Sequence, residues 1–101
     1  MTVTKVIRYT TTPESADENE RLVRAVYEEL ATEKPAGFHY ATFRLDDGVT
    51  FLHLAVLEGE VNPLTTSAAF AEFQSDIKDR LVQGPIQGDA RAIGSYRLLP
   101  E

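Results

Sequence analysis

Two β-like runs, residues 38–45 (FHYATFRL) and 49–58 (VTFLHLAVLE), are separated only by Asp46-Asp47-Gly48. Asp-Gly between strands is a strong short-range hairpin signal, because glycine accepts the positive φ that a tight turn demands. Any fold for this chain must contain that hairpin, and what flanks it is nearly symmetric. Before it, 3–11 (VTKVIRYTT) is rich in β-branched residues and reads as a strand. Thr12-Pro13 then opens a helix, threonine at the cap and proline at the first helical position, with Ser15 and Glu18 as an alternative capping box. Glu14, Asp17, Glu18 and Glu20 place negative charge at the positive end of the helix dipole. Leu22, Val26 and Leu30, flanked by Val23 and Tyr27, form the buried stripe, and Lys34-Pro35 with Gly37 ends the helix.

After the hairpin, Gly59, Asn62 and Pro63 mark a loop. Thr65, Thr66 or Ser67 caps a second helix with the stripe Phe70, Phe73, Ile77 and Leu81, which Gly84-Pro85 stops. Residues 89–99 (DARAIGSYRLL) read as the fourth strand. The order strand, helix, strand, strand, helix, strand predicts an α+β fold, the ferredoxin-like βαββαβ sandwich. In it a four-stranded antiparallel sheet carries two helices on one face. The other face has to be covered, and a second copy of the chain is the economical cover, so a homodimer is expected.

A chain of 101 residues is one domain, 1–101. Its 16 acidic against 10 basic residues give a net charge of −6, which repels phosphate backbones, so nucleic acid is not an expected partner. No run approaches the roughly 20 apolar residues of a membrane span. The start, MTVTKVIRYTTT, lacks the apolar core of a secretion signal. With no cysteine there is no disulfide, thiol nucleophile or sulfur-ligated zinc, and a cytoplasmic location is expected.

The two-residue side-chain period sorts the hairpin into two faces. One carries His39, Ala41, Phe43, Leu45, Leu52, Leu54 and Val56; being mostly aliphatic, it is expected under the helices, with His39 at the sheet rim. The other carries Phe38, Tyr40, Thr42, Arg44, Val49, Phe51, His53, Ala55 and Leu57, and is expected on the open face as the lining of a part-polar cavity. Two readings of His53 stand. Beside a phenol and a guanidinium it could take a proton, with Arg44 holding the resulting anion. Alternatively it donates to a threonine hydroxyl or a carbonyl at the dimer interface. Arg44 has its own bland reading, an ion pair with an acid such as Asp46. Tyr9, Tyr40 and Tyr96 are core or interface aromatics as readily as proton donors. The two histidines fall on opposite faces, so no metal is expected. Neither a G-x-S-x-G elbow nor a phosphate loop is present.

Several pieces together resemble the dimeric α+β barrel superfamily, and within it the antibiotic biosynthesis monooxygenase-like domains. They are Thr12-Pro13-Glu14 leading into an acidic helix, Pro35-Ala36-Gly37-Phe38-His39-Tyr40 opening the second strand, Asp46-Asp47 followed by Phe51, and Phe70-x-x-Phe73. The resemblance implies a homodimer enclosing a barrel, with a ligand cavity between sheet and helices. It also implies oxidation of phenols and quinols by O₂ with no cofactor, the substrate's own anion being the reductant. Two features depart from the family. Ala69 stands before Phe70, where a histidine is often found, and Ala55 and Val56 stand where an acid and tryptophan are often found. Haem degradation is therefore not expected.

The resulting expectation is a small-molecule-binding dimeric barrel, a cofactor-independent monooxygenase-like enzyme for an aromatic or enolisable compound. His53 would be the base, Arg44 the anion stabiliser, Tyr40 and Thr42 the orienting donors, and Phe38 and Phe51 the ring holders. The competing expectation is a non-catalytic homodimeric interaction or stress-associated module. A cavity of roughly 300 Å³ or more lined by these side chains favours the first.

Overall fold

The computed structural model describes residues 2–98. Its elements are β1 (Val3–Thr11), α1 (Ala16–Glu33), β2 (Phe38–Arg44), β3 (Thr50–Leu57), α2 (Ala68–Ser75), α3 (Ile77–Arg80) and β4 (Leu81–Ala90). One four-stranded antiparallel sheet runs in the order β2-β3-β1-β4, the ferredoxin-like arrangement expected from the element order. Among the described residues no helix is long and apolar enough to cross a membrane.

The hairpin forms as its turn residues require. Leu45 N–H donates to Thr50 O at 2.9 Å, and Asp47 Oδ1 accepts from the N–H groups of Val49 and Thr50, both at 2.9 Å. Gly48 takes a φ of +79°. Register follows, with Phe38 opposite Leu57 and Thr42 opposite His53. Thr12 Oγ1 accepts from Ser15 N–H at 3.2 Å over a short 3-10 turn at Pro13–Ser15, after which α1 begins. Lys34 closes α1 in the left-handed region, its N–H donating to Leu30 O at 2.8 Å. Ser67 caps α2, accepting from Phe70 N–H at 3.0 Å.

Two expectations are corrected. The fourth strand is Leu81–Ala90, not 89–99, so Leu81 leaves the helical stripe and begins a strand. Gly84-Pro85 looked like a helix stop. It is instead accommodated inside an edge strand, at an irregularity of the β1–β4 register, the kind of place where a strand tolerates proline. Gly84 sits at φ +98° where the β1–β4 register shifts beside Tyr9. Residues 91–98 form no strand, so Arg91, Tyr96 and Arg97 are not strand residues, and Leu99 lies outside the described residues.

The second correction concerns the faces. The hairpin sorts into the two expected sets, but the set with His53 lies beneath the helices and the aliphatic set is on the far side, partly or well exposed except for the buried Val56. Tyr9, Phe51, Val23, Val26 and Phe73 form the core on the helix side, and His53 is buried among them with 3% of its surface exposed. The reason is polar satisfaction. Aromatic and hydroxyl side chains can be buried when their polar atoms bond one another, and here they do. Burying Phe51 and Phe73 contributes roughly 2 kcal/mol each. His39 lies on the open face, exposed and paired with Glu58, not under the helices.

Candidate functional site

Adjacent strands bring Tyr9 of β1, His53 of β3, and Tyr40 and Thr42 of β2 onto one face of the sheet. Helix α1 lays Asn19 and Tyr27 over them. Asn19 belongs to the helix's inward stripe, three and seven residues before Leu22 and Val26, which is why an amide is wholly buried there. The result is a continuous hydrogen-bonded chain. Tyr9 Oη lies 2.8 Å from His53 Nε2, Tyr40 Oη 2.6 Å from His53 Nδ1, and Thr42 Oγ1 3.2 Å from the same nitrogen. Tyr27 Oη meets Thr42 Oγ1 at 2.7 Å. At the other end Asn19 Nδ2 donates to Tyr9 Oη at 2.9 Å, and Arg80 Nε donates to Asn19 Oδ1 at 3.0 Å. Arg80 also donates to Phe73 O at 2.7 Å, its guanidinium lying 5.2 Å from the Phe73 ring centroid.

Burial governs the protonation of this chain. It pushes the His53 imidazole down to about 4 and the Tyr9 phenol up to about 12. The Tyr40 and Tyr27 phenols are raised by the same cause. At neutral pH every member except Arg80 is therefore uncharged.

Beside the chain, a groove runs between α1 and the edge strand β2. One part, a cavity of 570 Å³, is lined by Tyr27, Thr42, Arg44 and Phe51 with Glu20, Val23 and Arg24 among others. A second part of 330 Å³ is lined by Phe38, Tyr40, Leu30 and Lys34, and shares Tyr27 and Ala31 with the first. Five of the six residues singled out from sequence thus border one groove, and His53 lies directly behind two of them. Arg44 is not free there. It donates to Asp17 Oδ1 at 3.0 Å, to Glu20 Oε1 at 2.9 Å and to Gly48 O at 2.9 Å, while its guanidinium lies 5.6 Å from the Phe51 ring centroid. Arg44, then Arg24, holds the Glu20 carboxyl below its ordinary range. The Arg44 ion pair expected with Asp46 is thus made with Asp17 and Glu20 instead.

Tyr27, Asn19 and Arg80 escaped the sequence reading as site residues, and Tyr9 was read only as a core or interface aromatic. One signal was legible: Asn19 is a polar residue on an otherwise apolar helical stripe, a position that demands a partner. Among the described residues no group of three or more histidines or carboxylates is placed to hold a metal.

No protein-family model matches the sequence, and no curated protein matches it by sequence. Solved structures do match. A Bacteroides thetaiotaomicron protein provisionally named an antibiotic biosynthesis monooxygenase superposes with a TM-score of 0.79 at 14% identity, over 98% of this chain and 96% of that one. The Mycobacterium tuberculosis protein Rv0793 gives 0.73 at 13% identity, over 94% and 98%. SnoaB, a cofactor-independent oxygenase from Streptomyces nogalater, gives 0.66 at 18% identity, over 95% and 97%. The chain therefore has the fold of antibiotic biosynthesis monooxygenase-like proteins along nearly its whole length.

Proposed function

We propose that two copies of this chain form a dimeric α+β barrel whose grooves each bind a small aromatic, enolisable compound and oxygenate it without a cofactor, in the cytoplasm. The carrying observation is the α1–β2 groove bordered by three linked hydroxyls, those of Tyr27, Thr42 and Tyr40. Its volume exceeds the roughly 300 Å³ of a small-ligand pocket. The fold shared with SnoaB supports the reaction class. A balanced outcome is a phenol plus O₂ giving a quinone plus water. One oxygen atom enters a ring carbon, the other leaves as water, and the substrate supplies all four electrons.

In this reading Phe38 and Phe51 hold the ring, and Tyr40 and Thr42 orient its oxygen. The geometry favours a changed role for His53. With its imidazole held at about 4, taking a proton from a phenol of ordinary acidity is about 8 kcal/mol uphill. The proton leaves to water through the open groove instead, and His53 positions the hydroxyls. Arg44, bound by two carboxylates, closes the mouth and does not grip the anion.

The rival reading, a non-catalytic interaction or stress-associated module, draws on one observation: among the described residues no buried polar side-chain atom lacks a partner. An oxygen electrode separates the two. Freshly purified protein mixed with a panel of naphthols and quinols should consume O₂ above the uncatalysed rate with at least one, and that compound should raise the melting temperature. A panel that does neither supports the module.

A further inference from the structure

The buried chain has a direction, and a side chain outside the groove sets it. Arginine carries donors only, so the Asn19 atom facing Arg80 Nε must be the amide oxygen. Asn19 Nδ2, a donor, then faces Tyr9, whose oxygen must accept. Tyr9 is 2% exposed and has one proton to place. Among the described residues its hydroxyl meets, besides Asn19, only His53 Nε2, at 2.8 Å, so it donates there and that nitrogen carries no proton. A neutral imidazole has one N–H, which falls to Nδ1 and points at Tyr40 Oη, 2.6 Å away. Tyr40 Oη accepts this bond, so the linked hydroxyls of Tyr40, Thr42 and Tyr27 hold three protons for the two bonds among them, and the third is left for the groove.

We propose that Arg80, acting through Asn19 and Tyr9, holds His53 in the Nδ1–H tautomer and so makes the groove select ligands presenting a hydrogen-bond acceptor oxygen, a carbonyl or an enolate. This rests on the groove being a ligand site as far as the ligand is concerned, whereas the tautomer stands on the buried chain alone. Arg80, Asn19 and Tyr9 are positioning residues; the linked Tyr40, Thr42 and Tyr27 hydroxyls present the remaining proton to the ligand. The opposite tautomer would leave the Tyr9 proton buried without an acceptor, a costly arrangement.

Asn19→Asp reverses the logic. A carboxylate accepts from Arg80 and from Tyr9 at once, so Tyr9 turns its proton away from His53 and accepts from Nε2–H, and Nδ1 accepts from Tyr40. The test is ¹⁵N NMR of the imidazole in a His39→Gln background, which leaves one histidine. The Nδ1–H signature is expected with Asn19, and Nε2–H with Asn19→Asp. An Nε2–H signature with Asn19 in place overturns the proposal, and that reading needs only the substitution at the exposed His39 to fold.

The ligand arm uses two neutral probes, on which the added charge of the variant has little effect. Acetophenone offers only an acceptor oxygen; ethylbenzene has the same shape and no polar group. Loss of one donor predicts about fivefold weaker acetophenone binding in Asn19→Asp, with ethylbenzene unchanged. Equal changes for both probes, once the tautomer has switched, overturn the selectivity. If neither probe binds the unaltered groove, the ligand reading of the groove falls while the NMR still decides the tautomer.

Discussion

His53 is the residue on which sequence and structure part. Its period-two placement with Tyr40 and Thr42 was legible, because side-chain alternation along a strand is geometric. Its burial was not, since nothing local says which face of a sheet the helices choose. The consequence is measurable. Burial lowers the imidazole from 6.5 to about 4, so as pH falls through 6.5 the unfolded chain takes up a proton that the folded chain refuses. Stability contributed by the neutral ring is thus complete above pH 6.5 and is lost towards pH 4, about 3 kcal/mol in all. Urea denaturation at pH 7 and pH 4.5 should show this loss. His53→Gln should start from a lower stability at pH 7 and lose distinctly less across the same interval, although the carboxylates still titrate there. The ring faces Tyr9, Tyr40, Thr42 and Phe73, none of which ionises in that window.

At the scale of elements, turn and cap chemistry carried most of the reading. Asp-Gly placed the hairpin, Thr12-Pro13 the approach to α1 and Ser67 the start of α2, each because a side chain or a proline meets backbone groups locally. Removing the α2 cap with Ser67→Ala should cost about 1 kcal/mol, read as a lowered urea midpoint with an unchanged slope. β4 escaped because its tolerance of Gly84-Pro85 depends on being an edge strand, which is a property of the assembled sheet. A Cβ at Gly84 would stand 3.0 Å from Arg8 O and from Tyr9 Cα, in a backbone conformation at φ +98° that side chains rarely adopt. Gly84→Ala should therefore destabilise by roughly 1–3 kcal/mol and lower the melting temperature by several degrees. Arg80, the last residue before β4, joined the buried chain only because α3 ends where it does, and no local pattern announced that.

For the whole molecule, the open face of the sheet carries an apolar patch beside Arg8 and the His39–Glu58 pair. Leu52 and Leu54 are partly exposed there, and Phe43 and Ile86 are 47% and 62% exposed. A second copy covering this face is the proposed remedy, and Leu54→Lys should convert a dimer to a monomer in sedimentation velocity while leaving far-UV circular dichroism unchanged. The groove lies on the other side of the sheet, under α1, so ligand binding and dimer formation can be perturbed separately. Function in the proposed reading depends on that groove holding an aromatic oxygen against the hydroxyls of Tyr27, Thr42 and Tyr40. Calorimetric titration of 1-naphthol into the unaltered protein and into Tyr40→Phe tests it most directly. One saturable site per chain, weakened about fivefold or more by the substitution, is the predicted result. Absence of saturable binding, or equal affinity in both proteins, would contradict it.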